Sequence, residues 1–100
     1  MGRNRKAGTQ DLRVTSVSLR TELVEREGSR LVAVGSVELD GQLRIEYIRV
    51  VRLSDGRFLV AMPSQVNNAG EHQDVVHPTT KWLRKMITDA VLDALSKKDH

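Results

Sequence analysis

One cluster of side chains and one serine in this sequence have residue types that could do chemistry. His72, Asp74 and His77 are metal-ligating types, but in an extended strand only His72 and Asp74 share a face. No cysteine and no fourth ligand accompany them, so an edge histidine and a His-Pro turn explain them better than a metal site. Ser64 lacks the glycine-flanked elbow and the orienting acid that a serine nucleophile needs. We therefore expect no metal, no cofactor, no small-molecule substrate and no enzymatic activity.

Two groups of basic side chains are more informative. The first surrounds the turn at residues 54–56 and consists of Arg49, Arg52 and Arg57. The second lies on the first turns of the predicted helix and consists of Lys81, Arg84 and Lys85. Cations at the start of a helix crowd the positive end of its dipole, which helix stability does not favour and a phosphate ligand would. An ordinary solvated helix face is the alternative explanation.

The net charge of +3 is concentrated at the N-terminus. Arg3, Arg5 and Lys6 supply it within ten residues that hold no acid, and the 16 basic residues less these three leave 13, which equals the 13 acids. Any attraction of the folded body for phosphate must therefore come from local clustering. The composition predicts a disordered basic tail over residues 1–10, either solubilising or an arm for nucleic acid, and a single domain over residues 11–100.

The sequence contains no cysteine, and no apolar run approaches the roughly 20 residues that a membrane helix needs. The N-terminus also lacks the apolar region of a signal peptide. These features suit a cytoplasmic protein that has no membrane partner.

Alternating apolar residues predict four or five antiparallel strands before residue 77. The first begins at Leu12 and shifts its apolar phase between Val14 and Val17, which indicates a bulge. The second spans residues 30–39, where Gly35 indicates a bend or a close backbone approach. The third places Leu43, Ile45 and Tyr47 on one face and then changes phase, so we expect it to bend.

The remaining elements follow from turn residues and apolar runs. Asp40-Gly41 is a strong hairpin signal. Residues 58–62 are nearly all apolar, which predicts a central strand, and Pro63 ends it. A loop is expected over residues 64–71, followed by a short edge segment at 73–76.

One helix is predicted after His77-Pro78, with Thr79 or Thr80 as its N-cap. Leu92 lies roughly opposite its apolar stripe and Trp82 at the edge. The stripe consists of Leu83, Met86, Ile87, Ala90, Val91, Ala94 and Leu95. Strands followed by one helix predict an α+β domain, in which an antiparallel sheet of four or five strands carries the C-terminal helix on one face.

An ordered set of short segments covers residues 14–92. They are Ile48-Arg49-Val50, Met62-Pro63-Ser64, Gly70-Glu71 with Asp74, His77-Pro78 and Asp89-Ala90-Val91-Leu92. Together they resemble the SpoVG family, small bacterial proteins named for sporulation and septation. The resemblance implies a SpoVG-like fold and a homodimeric regulator that binds DNA or RNA, with Arg49 and Arg84 at matching positions. This chain departs from the family pattern at Glu46-Tyr47, Gln65, His72-Gln73 and Met86.

We therefore predict a homodimer, formed by sheet-to-sheet contact or hairpin exchange, because residues 30–51 are apolar on both faces and strand edges are exposed. The alternative is a monomer whose second face is covered by the N-terminal segment, which requires residues 1–10 to be ordered. Its nucleic-acid-binding residues are predicted to be Lys81, Arg84, Lys85 and Arg49, assisted by the tail. They would contact phosphates, since no Asn or Gln on the helix is placed to bind a base edge. The alternative function is a protein-interaction module in cell division or development that does not bind nucleic acid. Its exposed apolar patch would then include Leu92 and Trp82.

Overall fold

The structure is a computed structural model that describes residues 12–98, so the predicted tail lies outside the described residues. A four-stranded antiparallel sheet with the strand order β1-β2-β3-β4 is followed by a two-stranded hairpin and one helix. The elements are β1 (Val14–Arg26), β2 (Ser29–Leu39), β3 (Leu43–Leu53), β4 (Phe58–Ala61), β5 (Ser64–Val66), β6 (His72–Asp74) and α1 (Lys81–Lys98). The predicted α+β architecture is confirmed.

Bulges occur where the apolar phase of the sequence shifts. In β1, Val14 pairs with Leu39 and Ser16 with Glu38, so Thr15 is the extra residue. In β3, Ile45 pairs with Val37 and Ile48 with Gly35, which leaves two β3 residues, 46 and 47, opposite one residue of β2. The bulge predicted in β1 is confirmed, and β3 has a second bulge at the phase change where the sequence predicted a bend.

The β3 bulge also corrects one sequence-based assignment. Leu43, Ile45 and Tyr47 were expected to share a face, but only Ile45 is buried, while Leu43 and Tyr47 are 56% and 73% exposed. Tyr47 has a φ of 63°, and this left-handed conformation interrupts the alternation of the strand. Beyond the bulge, Ile48 and Val50 are both fully buried.

Gly35 marks a close approach of two strands, as predicted. A Cβ atom at this position would lie 1.9 Å from the carbonyl oxygen of Ser18 and 2.8 Å from Cα of Leu19. Only glycine lets β1 and β2 pair at this distance.

The hairpin between β2 and β3 contains the predicted turn. Asp40 and Gly41 have φ values of 56° and 65°, and the amide of Gln42 donates to the carbonyl of Leu39 at 3.0 Å. Positive φ at both central positions is what a type I′ turn requires. The Asp40 carboxylate also accepts a hydrogen bond of 2.9 Å from the backbone N–H of Arg13, which ties the turn to the chain that enters β1.

The prediction of a central strand at residues 58–62 is wrong. β4 pairs only with β3 and forms one edge of the sheet, with Phe58 and Leu59 about half exposed. After Pro63 the chain forms β5, which joins a separate hairpin. Within the described residues, no strand therefore remains to pair with the outer side of β4.

The expected loop over residues 64–71 is also corrected. Ser64–Val66 forms β5, which pairs with β6, the edge segment that the sequence placed at 73–76. Asn67 shapes the turn between them, because its side-chain oxygen accepts the backbone N–H groups of Ala69 and Glu71, each at 2.9 Å. A three-residue strand is too short for periodicity to reveal.

The helix begins and packs largely as the sequence indicated. The Thr80 hydroxyl accepts the Leu83 N–H at 3.1 Å and so forms the N-cap. Leu92 was expected to be exposed, but it is half-buried against the core. The reason is that α1 contacts both β1 and β4, the two edges of the sheet, so a wide arc of the helix is covered.

The core lies between α1 and one face of the sheet. Its buried members are Ala33, Val37, Leu39, Ile45, Ile48, Val50, Val60, Met62, Ile87, Val91 and Leu95. We call the opposite side of the four-stranded sheet the helix-free face. Within residues 12–98, no helix has the length and apolar character needed to cross a membrane.

Candidate nucleic-acid interface

The first turns of α1 present three exposed cations. Lys81, Arg84 and Lys85 are spaced by three and four residues, so they are neighbours on one side of the helix. The first turn contains no acidic residue, although the helix dipole would favour one there. This arrangement concentrates positive charge at the helix start and raises the local potential for an anion.

Two of these cations have no ion-pair partner in the described part of the chain. No carboxylate among residues 12–98 lies within 4.0 Å of Lys81 or Arg84. Lys85 differs, because its Nζ is 2.8 Å from Oδ2 of Asp89. An exposed pair with this spacing is worth only about 0.3–0.5 kcal/mol, so Lys85 exchanges this partner easily for a phosphate.

A fourth cation, Arg13, reaches the same end of the helix. Its guanidinium carbon lies 5.9 Å from the ring centroid of Trp82, within the range of a cation–π contact. No sequence pattern indicated Arg13, because Arg13 and Trp82 are distant in the chain and meet only through the packing of α1 on β1. Trp82 itself is 44% exposed.

Arg49 is placed elsewhere. Strand alternation puts it on the helix-free face, since its neighbours Ile48 and Val50 face the helix. Its Nη2 donates to the carbonyl of Met62 at 2.9 Å and to the hydroxyl of Ser64 at 3.2 Å. The structure thus brings Lys81, Arg84 and Lys85 together but separates Arg49 from them and engages it in the scaffold.

The basic group that the sequence places around residues 54–56 lies at the turn between β3 and β4, and its charges are partly compensated. The Arg57 Nε donates to Asp55 at 2.7 Å, and the Arg52 guanidinium lies 6.0 Å from the Phe58 ring. The backbone N–H of Arg57, and then its guanidinium, hold the pKa of the Asp55 carboxyl below its usual value. Arg52 also borders a cleft of about 340 Å³ beside the β1–β2 turn.

The other residues considered for chemistry do not assemble. His72 and Asp74 lie on the exposed strand β6, and no group of three metal-ligating side chains that could hold an ion occurs among residues 12–98. The Ser64 hydroxyl accepts a hydrogen bond from the Arg49 guanidinium.

These features define a class of protein: a small α+β domain in which helix α1 starts with a cluster of exposed cations. The profile of the SpoVG family matches residues 12–97, and the chain belongs to this family. The predicted resemblance is therefore confirmed.

Relatives in several bacteria agree with this assignment. "Putative septation protein SpoVG 1" of Listeria monocytogenes is 40% identical over 89 residues, which are 89% of this chain and 83% of the relative. "Putative septation protein SpoVG" of Priestia megaterium is 43% identical over 81 residues, or 81% of this chain and 80% of the relative. The protein of the same name in Borrelia hermsii is 32% identical over 88 residues, covering 88% and 91%. These names connect the family with septation and with no reaction.

Proposed function

We propose that this protein is a homodimeric nucleic-acid-binding regulator of the SpoVG type, linked to sporulation and septation. The observation that supports it is the cation cluster at the start of α1. Lys81 and Arg84 are exposed and have no carboxylate partner within the described residues, and Lys85 has only an exposed one.

The position of this cluster is unfavourable for the isolated fold. Each cation near a helix N-terminus costs about 0.3–1 kcal/mol at low ionic strength, and the first turn holds no acid to offset it. A bound phosphate backbone converts this cost into a stabilising interaction, because its negative charge attracts both the cations and the positive end of the helix dipole. Such contacts position the nucleic acid without selecting its sequence.

The edges of the sheet favour a dimer built at β4. The outer edge of β1 carries charged residues such as Arg20, Glu22 and Arg26, which discourage pairing with another strand. β4 has the sequence Phe-Leu-Val-Ala and no charge, and Phe58 and Leu59 are about half exposed. Antiparallel pairing of β4 with β4 of a second copy about a two-fold axis would continue the sheet and bring two cation clusters into one assembly.

The salt dependence of binding tests this proposal. For duplex DNA, the slope of log affinity against log salt is about −0.9 per phosphate neutralised, so six contacts from two clusters give about −5. The double variant Arg84→Ala/Lys85→Ala removes two contacts per protomer and should reduce the slope to about −2. Both side chains are exposed, so the fold should persist.

The matched control is Lys97→Ala/Lys98→Ala, which removes the same charge from the last turn of the same helix. It should leave the slope nearly unchanged. If the Arg84/Lys85 variant binds mixed-sequence DNA and RNA as well as the parent does at low salt, the helix start is not the contact surface. The protein-interaction module would then be the better account.

A further inference from the structure

All three aromatic side chains of this protein lie at its surface. Tyr47, Phe58 and Trp82 are 73%, 45% and 44% exposed, and none belongs to the core cluster. This is unusual, because aromatic rings are the largest apolar groups that a core can bury. The Phe58 and Trp82 rings each lie close to an arginine guanidinium, but Tyr47 has no such contact among the described residues.

The backbone of Tyr47 adds to the anomaly. Its φ of 63° lies in the left-handed region, which glycine and asparagine tolerate and bulky residues disfavour. The bulge needs an extra residue here, but it does not need an aromatic one. Because the ring is largely exposed, burial of the side chain does not offset the backbone strain.

Tyr47 borders a cavity of about 240 Å³ that also contains a buried hydroxyl. Ser36 lies in its wall, directly across from Ser18 in the β1–β2 pairing, and is only 9% exposed. No side-chain hydrogen bond among residues 12–98 involves Ser36, although buried hydroxyls normally have a partner. The cavity, at about 240 Å³, is smaller than the roughly 300–1,000 Å³ of a drug-sized site, so it has room for one small group.

This cavity is accessible from the side. β4 pairs with β3 only at residues 49–52, so the part of β3 that contains the bulge has no strand on its outer side within the described residues. Arg20 also lines the cavity, and among residues 12–98 its one ion-pair partner is the carboxylate of Glu22. The cavity is therefore lined by the Tyr47 ring, the hydroxyls of Ser18 and Ser36, and the Arg20 cation.

We propose that Tyr47 and this cavity bind one unpaired base of a single-stranded nucleic acid. The base stacks on the Tyr47 ring, its polar edge bonds the Ser36 hydroxyl, and Arg20 lies close enough to attract the adjoining phosphate. Antiparallel sheets backed by helices bind single strands in this way, through exposed aromatic side chains and basic groups. A duplex offers no such base, because its bases are already stacked and paired. The inference rests on the proposed function and adds a preference for single strands.

Fluorescence anisotropy at low salt tests the site with a labelled mixed-sequence DNA strand of about 16 nucleotides, alone and annealed to its complement. The variant Tyr47→Gly removes the ring and relaxes the left-handed backbone, so its fold is retained. Loss of one stacked base should weaken single-strand binding by about 5- to 150-fold and leave duplex affinity unchanged. Tyr47→Phe keeps the ring and should bind the strand as the parent does.

A second variant, Ser36→Ala, separates binding from folding. Removing an unpartnered buried hydroxyl should leave the thermal midpoint unchanged or raise it, while single-strand affinity falls. A lower midpoint with unchanged affinity would show that the hydroxyl serves the fold, which would overturn its role as a ligand.

The outcomes distinguish the two proposals. If the parent binds neither probe, the proposed function fails and this inference fails with it. If the parent binds both probes and Tyr47→Gly binds them equally well, the base site is refuted while the helix contact stands. If Tyr47→Gly weakens both probes equally, the ring does not discriminate unpaired bases, and the inference is likewise refuted.

Discussion

The substitution Gly35→Ala tests the closest backbone approach in the sheet. An added Cβ would lie 1.9 Å from the Ser18 carbonyl oxygen, whereas ordinary contact begins at 3.4 Å, so β1 and β2 must separate locally by about 1.5 Å. Ladder hydrogen bonds, normally 2.7–3.2 Å long, do not survive such a displacement. Overpacking costs about 1–3 kcal/mol, and the loss of two ladder hydrogen bonds at about 1 kcal/mol each raises the total to about 3–5 kcal/mol.

Urea denaturation followed by circular dichroism measures this loss. With an m-value of about 2 kcal/mol/M, the midpoint should fall by about 2 M. The control is Gly41→Ala, at a position with φ of 65° and nothing within 4 Å of the added Cβ, where only backbone strain of about 1–2 kcal/mol applies. If Gly35→Ala costs no more than Gly41→Ala, the close pairing of β1 and β2 is refuted.

Two further predictions concern the edge of the sheet and pH. Leu59→Lys places a charge on the edge strand β4 and should convert a dimer of about twice 11.2 kDa into a monomer in sedimentation equilibrium. The control Leu23→Lys, on the β1 edge, should leave the dimer intact. A monomeric parent protein would contradict the dimer. Because the pKa of Asp55 is lowered from 3.8 in the fold, its stabilising effect is complete above that pH and is lost as the pH falls through the folded-state pKa. An NMR titration of the Asp55 carboxyl checks this, and in Arg57→Ala the pKa should stay below 3.8, because the backbone N–H at position 57 is the larger cause.

Periodicity predicted the elements that bury a face over many residues. The helix stripe extends over several turns, and its most buried members, Ile87, Val91 and Leu95, were all on it. The phase shift in β1 predicted a bulge and that in β3 predicted a bend, and a bulge occurs at both places, because an extra residue in a strand changes which face the next side chain occupies. These are local consequences of the sequence.

Features that depend on distant partners were not predictable in the same way. Whether β4 is central or at an edge depends on what pairs with its outer side, and the strand that follows it, β5, pairs with β6 instead. The contact between Arg13 and Trp82 likewise requires the packed helix. The one sequence signal for an unusual Tyr47 was the departure from the family pattern at Glu46-Tyr47. Its left-handed backbone could not be predicted, because the identity of the side chain does not indicate a positive φ.

The fold also explains why two separate segments of the family pattern occur together. Arg49 and the tripeptide Met62-Pro63-Ser64 are the two sides of one contact, in which the guanidinium bonds the Met62 carbonyl and the Ser64 hydroxyl. Pro63 has no N–H and lies between β4, which ends at Ala61, and β5, which begins at Ser64, so the arginine secures the chain where it leaves the sheet. A planar guanidinium can reach two acceptors at once, which the single nitrogen of lysine does less well. This contact fixes the position from which β5 and β6 project, and it makes Arg49 a part of the scaffold, whereas the cations at the start of α1 remain exposed.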